Sequence, residues 1–324
     1  MIATLRRRAL TFSALALAFV VAWAGAPLWL LLAVIVDLVR RQKLATVRFI
    51  AFILGLLACE AIGVGVALAI GSDPGRNYAL QRRWAGALWT LGSRLWRLRL
   101  TVSGDPLPPG PFVAFVRHAS YADTLLPMLT MAGPERLPRY VLKAELRADP
   151  CLDLVGSRIP NVFVRRGAGD EGQLAEVAAL AATVGPRDFV VIYPEGTRFT
   201  RRKREQAIAR VPERWRAAAA ALTHTLPPRP SGALALLDAG LDVVFVAHAG
   251  LDGVNKLPNL FSGGIVGQEL RVNLRHVPAA DIPPDRDARI AWLYAEWARV
   301  DTFVREASPA TAPEAPRPPT APPR

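Results

Sequence analysis

The stretch from residue 112 to residue 123 reads FVAFVRHASYAD, and the rest of the chain can be organised around it. Its first part, Phe112–Val116, is apolar throughout, which is typical of a strand buried on both faces of a sheet. A polar turn follows, and then an apolar run, Asp123–Met131, that is predicted to be helical. In α/β proteins, functional side chains lie at such strand ends. We therefore expect a site directly after this strand.

The same pattern of short apolar runs bounded by Pro, Gly or charged residues recurs along the chain and predicts further buried strands. These are Tyr140–Leu142, Val162–Val164, Phe189–Tyr193 and Val243–Ala247. Helical patterns are found at Glu171–Val184, at Ser231–Ala239 with a Ser cap, and at Arg286–Glu306. Strands that alternate with helices predict an α/β fold, with a mixed, largely parallel sheet flanked by helices, over residues 72–306.

Residues 1–71 are predicted to form N-terminal membrane helices. Residues 9–36 carry no charge and residues 49–70 are interrupted only by Glu60, whereas a helix needs about 20 residues to cross a bilayer. A cleaved signal peptide is the rival interpretation of the first stretch, but a proline would follow the cleavage site and the apolar character continues beyond it. We expect a hairpin or shallow insertion, because two full crossings would place the basic residues 40–43 on the outer side.

Composition narrows the class of protein. Hydrophobic residues make up 52% of the chain and the mean hydropathy is +0.23, which is high for a purely soluble domain. The net charge of +13 is explained by anionic lipid headgroups and phosphorylated substrates, and no nucleic-acid-binding motif accompanies it. The two cysteines, Cys59 and Cys151, form no metal-ligand or redox pair. Residues 307–324 are mostly Pro, Ala and Thr and predict a disordered tail.

Two short strings predict the chemistry. In the first, His118 and Asp123 lie in and after the turn that follows the strand, so the carboxylate can hold one ring nitrogen while the other accepts a proton. The second, Pro-Glu-Gly-Thr-Arg at residues 194–198, ends another predicted strand and is too long to be a common chance match. A tight turn would explain its Pro and Gly but not its Glu and Arg.

Together, in this order and about 75 residues apart, the two strings resemble the glycerolipid acyltransferase family, which includes the 1-acylglycerol-3-phosphate acyltransferases. The resemblance covers roughly residues 112–250, and residues 159–167 are similar to the family's middle motif, with Arg166 at its arginine. Residues 142–143 and 227–232 are similar to the branch that contains lysocardiolipin acyltransferases. Three positions depart from the family pattern. Arg117 replaces an Asn, Tyr193 replaces a Phe, and the strand end near residue 247 lacks a Pro.

The resemblance implies an O-acyltransferase that needs no metal or redox cofactor. It would move a fatty acyl group from acyl-CoA or acyl carrier protein to the hydroxyl of a lysophospholipid. The expected acceptor is 1-acylglycerol 3-phosphate, giving phosphatidic acid, and the alternative is another acceptor such as a lysocardiolipin or a lyso-aminolipid. Such an enzyme is expected at the bacterial inner membrane, with its catalytic domain facing the cytoplasm.

Roles follow for individual residues. His118 is predicted to act as the base, Asp123 to orient it, and N–H groups around Gly196 to stabilise the oxyanion. Glu195 is placed in the same catalytic block and, with Arg198, is expected to hold the glycerol and phosphate of the acceptor. The other residues predicted to bind substrate are Ser120, Lys143, Arg166 and Thr197.

Two other classes of protein remain as alternatives. One is a non-catalytic lipid-binding or scaffold protein, against which the His–carboxylate pair argues, because binding alone needs no base. The other is an envelope protein that binds nucleic acid through the basic run at residues 201–204. That run is equally interpreted as a solvated helix face, or as a contact for anionic lipid or for the phosphates of the acyl carrier.

Overall fold

The computed structural model describes residues 2–165, 171–250, 252, 261 and 263–307. In this part of the chain, seven strands form one sheet in the order β1-β7-β6-β2-β5-β3-β4. Neighbouring strands are parallel except β6 and β7, which are antiparallel. The strands are β1 Arg99–Gly104, β2 Phe112–Val116, β3 Leu137–Lys143, β4 Val162–Val164, β5 Asp188–Ile192, β6 Asp242–Ala249 and β7 Glu269–Val277. The mixed, largely parallel α/β sheet expected from the sequence is confirmed.

Helices cover both faces of this sheet. Helices α7, α9, α10 and α11 bury apolar side chains against one face, and α4 and α5 do so against the other. The helices are α1 Ile2–Ala24, α2 Ala26–Arg40, α3 Ala45–Ile70, α4 Pro74–Trp96, α5 Leu126–Thr130, α6 Pro150–Gly156, α7 Glu171–Ala182, α8 Arg201–Ile208, α9 Glu213–Ala221, α10 Pro230–Leu237 and α11 Arg286–Ala307. Strand β2 lies between β5 and β6, and helices cover both faces of the sheet there. All five of its side chains are therefore buried.

Some elements differ from the sequence predictions. Strand β7 was not predicted because its buried and less buried side chains alternate, whereas the predicted strands were recognised as continuous apolar runs. Strand β1 was missed because it lies at the sheet edge with mostly exposed side chains. The predicted Ser231 cap is wrong, since α10 begins one residue earlier with Arg229 as its N-cap and has no side-chain cap bond. The predicted helix Asp123–Met131 begins as a 3₁₀ turn, Ala122–Leu125, before α5.

Helices α1 and α3 are long and apolar enough to cross a membrane. Among the described residues, the exposed large apolar side chains lie almost entirely on α1, α2, α3 and the turn before α3, the exceptions being Val102, Tyr121 and Leu146. An apolar surface of this extent is unfavourable in water. Helix α3 ends at Ile70 and α4 begins at Pro74, on either side of the predicted division at residue 71. The predicted tail lies outside the described residues from residue 308 onward.

The N-terminal helices form a hairpin in which α1 and α2 run antiparallel to α3. Phe12, in the middle of α1, packs against a buried cluster that includes Ala67 near the end of α3. Near the end of α1, the Trp23 indole donates to the Leu54 carbonyl at 3.2 Å. Asp37 on α2 is buried and accepts from the N–H groups of Thr46 and Val47 at the start of α3, at 3.0 and 2.9 Å. This carboxylate therefore caps α3 and closes the hairpin.

The hairpin is tied to the rest of the chain by polar contacts. The Arg7 and Arg8 guanidinium groups each lie 2.8 Å from the buried carboxylate of Asp153 on α6. Glu60 on α3 faces the protein and accepts from the Trp84 indole on α4 at 3.0 Å. The hairpin therefore packs along the α/β domain. Its depth in a membrane stays a prediction.

Candidate active site

Three polar residues meet where parallel strands β2, β5 and β6 end. His118 follows β2, Glu195 follows β5, and His248 is the second-last residue of β6. Because the carboxyl ends of parallel strands meet at one edge of the sheet, residues about 130 positions apart in the sequence come into contact there.

The His118 ring is held by Asp123, with 3.2 Å between Nδ1 and Oδ2. The turn after β2 wraps around this carboxylate, which also accepts from the N–H groups of Ala119 and Ser120 and from the Ser120 hydroxyl. The Asp123 side chain is 0% exposed, whereas that of His118 is 12% exposed. One edge of the imidazole can therefore be reached while its partner is sealed inside the protein.

The protonation states suit a base. Burial would raise the pKa of Asp123, but His248 and the hydrogen bonds from His118 and Ser120 outweigh it and lower the pKa to about 2. Burial lowers the pKa of His118 below its ordinary value of 6.5, against the opposing effect of Asp123. A neutral imidazole that donates through Nδ1 to an ionised carboxylate has a lone pair on Nε2.

Glu195 joins two loops at this site. Its carboxylate is buried, with Oε1 accepting from the His118 N–H at 2.8 Å and Oε2 accepting from the Leu226 N–H at 2.9 Å. Burial raises the pKa of Glu195 to about 8, against the opposing charge of Arg117. Because both oxygens already accept from the backbone, the geometry favours a role in positioning His118. The predicted contact with the acceptor stays a prediction.

The turn that follows Glu195 depends on a glycine. Gly196 has a φ of +67°, and an added Cβ would lie 3.0 Å from Nε of Arg229. Its N–H donates to the Tyr193 carbonyl at 2.9 Å, so this N–H is engaged in the turn. If the backbone around Gly196 stabilises an oxyanion, the N–H groups of neighbouring residues would have to do so, and this stays a prediction.

The remaining predicted binding residues are placed differently. Arg198 stacks its guanidinium carbon 3.5 Å from the centre of the Tyr121 ring, and its Nη1 has no hydrogen-bond partner among the described residues. The Thr197 hydroxyl accepts from the Lys203 ammonium at 3.1 Å. Lys143 ends β3, close enough for its charge to contribute to the lowered pKa of His118.

Two further predicted binding residues are Ser120 and Arg166. The Ser120 hydroxyl is committed to Asp123. Arg166 lies outside the described residues. For both, as for Lys143 and Arg198, substrate contact stays a prediction.

Sequence reasoning missed the roles of Arg117 and His248. Arg117 is buried and pairs with Asp252, and it donates to the carbonyl oxygens of His248 and His224 at 2.7 and 3.1 Å. His248 Nε2 lies 2.9 Å from the Arg117 carbonyl oxygen. The available signal was the arginine directly before His118, at a position where the resembling family carries a smaller residue.

A cavity of about 800 Å³ lies beside the Glu195–Thr197 turn. Its lining includes five basic side chains, Lys203, Arg210, Arg214, Arg229 and Arg286. Trp215 and Tyr294 form part of its wall, with stacked rings 6.0 Å apart. Of the basic run at residues 201–204, Lys203 therefore lines this concave site, while Arg201 and Arg202 are exposed outside its lining.

Comparison with known proteins gives matches to acyltransferases. The sequence profile described as Acyltransferase matches residues 99–244, which contain both chemical strings. A lyso-ornithine lipid O-acyltransferase from Pseudomonas aeruginosa is 30% identical over 154 residues, 44% of this chain and 54% of that protein. The match therefore spans about half the length of this curated relative.

A solved structure gives a weaker likeness. The 1-acyl-sn-glycerophosphate (LPA) acyltransferase PlsC from Thermotoga maritima is 14% identical, covering 90% of this chain and 97% of that one, with a TM-score of 0.46. The fold and the buried His–Asp site, together with the profile match, define an α/β acyltransferase domain. Residues 99–244 therefore match the acyltransferase family profile, in agreement with the resemblance of the two strings.

Proposed function

We propose that this chain transfers a fatty acyl group from a thioester donor, acyl-CoA or acyl carrier protein, to a free hydroxyl of a lysophospholipid. The observation that carries this proposal is the His118–Asp123 pair at the carboxyl edge of the sheet, with the carboxylate buried and one imidazole edge accessible. A hydroxyl is a weak nucleophile, so transfer needs a base that is neutral at physiological pH.

The geometry supports direct attack by the acceptor. Nε2 of His118 takes the proton as the hydroxyl oxygen forms a bond to the thioester carbonyl carbon. Asp123 stabilises the imidazolium through Nδ1, and the C–S bond then breaks. The departing thiolate receives the same proton from His118, so the base returns to its neutral form. No covalent acyl-enzyme is needed in this sequence.

For the acceptor we propose a lysophospholipid with an anionic headgroup, 1-acylglycerol 3-phosphate first. Arg198 supports this choice, because its buried Nη1 is unpaired among the described residues and a guanidinium binds phosphate well. A lyso-aminolipid is the second candidate. Its support is the relative named as a lyso-ornithine lipid O-acyltransferase, whose match to this chain is 30% identical.

We also propose that the α1–α3 hairpin holds the enzyme on the cytoplasmic side of the inner membrane. Removing residues 1–71 would leave Asp153 buried without Arg7 and Arg8 and would uncover the α4 face that packs on α3. The truncated protein should therefore leave the membrane fraction or aggregate. Clean solubility with full activity would contradict the anchoring role.

The experiment that tests the reaction uses purified full-length protein, labelled acyl-CoA or acyl carrier protein, and a panel of lysolipid acceptors. Wild type is compared with His118→Ala, and melting curves establish that the variant is folded. Transfer to a lysolipid that His118→Ala abolishes supports the proposal and identifies the acceptor. Absence of transfer from both donors, or equal transfer by the variant, would favour a lipid-binding protein instead.

A further inference from the structure

We infer that His248 is a positioning residue of this site, acting as the third member of a contact series His118–Asp123–His248. Its Nε2 lies 2.9 Å from the Arg117 carbonyl oxygen and 3.6 Å from Oδ1 of Asp123. This inference rests on the proposed acyl transfer, because the residue would act on the reaction only through Asp123 and His118.

The contacts of His248 fix its tautomer. A carbonyl oxygen only accepts, so Nε2 carries the hydrogen, and that hydrogen faces both the Arg117 carbonyl and the Asp123 carboxylate. The side chain is 1% exposed, and its Nδ1 has no hydrogen-bond partner in the described part of the chain. A buried polar atom without a partner is unfavourable, so simple packing would be better served by an apolar residue.

The position of His248 explains what its N–H can do. Oδ1 of Asp123 receives the Ser120 hydroxyl and faces His248, which leaves Oδ2 directed at His118 Nδ1. The same N–H holds the carbonyl of the residue that precedes His118. His248 therefore restrains the Asp123 carboxylate and the backbone directly before His118.

The test compares His248→Gln with His248→Asn in the full-length protein. A Gln amide can place an N–H near the position of Nε2, whereas an Asn amide reaches only the position of Nδ1. We expect Asn to lower kcat about 10- to 100-fold with little change in KM, and Gln to restore most of it. In the Asn variant the pH midpoint of kcat/KM should move to lower pH, since Asp123 raises the pKa of His118 when it is aligned.

A second readout separates this inference from the proposed function. The titration of the His118 ring, followed by NMR in detergent, needs no substrate and should show the same displacement in the Asn variant. Equal kcat and equal titration midpoints in wild type and both variants would overturn the inference. Equal losses in Gln and Asn would also overturn it, because the N–H at the Nε2 position would then be irrelevant.

A different observation, the basic cavity, carries a second inference. We propose that this cavity binds the 3′-phosphorylated nucleotide of acyl-CoA, and this also rests on the proposed function. Among the described residues of its lining, only Glu195 is acidic, and both of its oxygens accept from backbone N–H groups. Arg214 is paired with Asp287, but the side chains of Arg210, Arg229 and Arg286 make no hydrogen bond or ion pair among the described residues.

Shape and composition favour a nucleotide over a flat lipid surface. Unpaired guanidinium groups around one concavity repel each other, so a bound polyanion would be stabilising. The Trp215 and Tyr294 rings are nearly parallel, at 12°, and offer an apolar wall next to those charges. A cavity of about 800 Å³ has the size of a small-molecule site. It adjoins the turn whose Glu195 holds the His118 N–H, so the thioester arm would lead towards the base.

The probe for this cavity is adenosine 3′,5′-bisphosphate, the nucleotide end of coenzyme A without its thioester. Binding is measured by calorimetry on the full-length protein, on Arg210→Gln/Arg286→Gln, and on the matched control Arg201→Gln/Arg202→Gln. We expect at least a 10-fold loss of affinity in the cavity variant only, and a similar rise in KM for acyl-CoA with kcat unchanged.

Four outcomes would overturn the cavity inference. Three of them are no binding of the probe by wild type, equal weakening of probe binding in the control variant, and, in the cavity variant, loss of binding to anionic vesicles without loss of binding to the probe. Activity with acyl carrier protein alone, unaffected by added probe, would likewise exclude a nucleotide in the cavity. Because the probe is bound without turnover, this failure is distinguishable from absence of acyl transfer.

Discussion

Two histidine–aspartate pairs lie at opposite edges of the same sheet. His118 and Asp123 meet at the carboxyl edge of the parallel strands, 3.2 Å apart. His276 and Asp242 meet at the other edge, where β6 begins and β7 ends, and are closer, at 2.8 Å. Their side chains are 26% and 32% exposed, and Asp242 also accepts from the Ala279 N–H of a surface turn.

The shorter distance therefore belongs to the pair that closes a surface turn. Only the first pair has its carboxylate enclosed by the backbone N–H groups of its own turn, and only there does Glu195 fix the histidine's backbone. The histidine of a His–Asp pair can act as a base when the surroundings exclude water from the carboxylate. Its Nε2, on the side of the ring away from the carboxylate, must also stay accessible. Distance alone does not distinguish the two.

The largest expected effect is the loss of acyl transfer when the histidine of the first pair, but not that of the second, is replaced by alanine. His118→Ala should lower the rate of acyl transfer by about 10²–10⁴-fold, because the transition state loses its base. His276→Ala should leave the rate within about two-fold, since surface substitutions have small effects. Initial rates with matched protein concentrations measure both. Comparable losses in the two variants would remove the distinction drawn here.

A second prediction concerns the two carboxylates. Asp123→Asn should lower kcat by about 10²–10⁴-fold, because an amide NH₂ would face the Ser120 and His118 donors and disturb the imidazole's orientation. Asp242→Asn serves as its counterpart at the opposite edge and should retain nearly full kcat. The two variants are compared by kcat at saturating acceptor. Retained kcat in Asp123→Asn would contradict the role of its charge.

A third prediction concerns Glu195, which connects the loops of His118 and Leu226 beside the first pair. Glu195→Gln leaves one of two buried N–H groups, that of His118 or that of Leu226, without an acceptor, a loss of about 1–3 kcal/mol. Thermal melting should show the lower stability, and kcat should fall about 10-fold. Glu205→Gln, at an exposed site on α8, is the matched control. Unchanged melting and kcat in Glu195→Gln would refute the positioning role.

The smallest expected effect is a shift of the midpoint in the pH dependence of kcat/KM. Protonated His118 cannot act as a base, so kcat/KM should rise with pH through the pKa of His118. Burial lowers that pKa, so the midpoint should lie below the ordinary 6.5, while Asp123, with a pKa of about 2, stays ionised. A pH–rate profile from pH 4.5 to 8 would show this. A midpoint above 6.5 would mean that the accessible imidazole is not desolvated as described.

The sequence predicted the parts of the fold and site that local patterns specify. Central strands β2 and β6 were found because residues buried on both faces form continuous apolar runs. His118 and Asp123 were found because they lie five positions apart. The contacts of Arg117 with His248 cross 131 positions, and no local pattern indicates that distant partner. The placement of Glu195 was likewise hidden, because its partners are backbone N–H groups of two remote loops.

The Arg7–Asp153 contact has a consequence for biosynthesis. Its partners are separated by 146 positions, so at translation rates of 5–20 residues per second α1 emerges roughly 7–30 s before the carboxylate that receives it. During that interval the basic start of α1 lacks the carboxylate with which it pairs in the folded protein. The order of synthesis would thus produce the N-terminal helices first, and α6 could pair with α1 only after Asp153 has emerged.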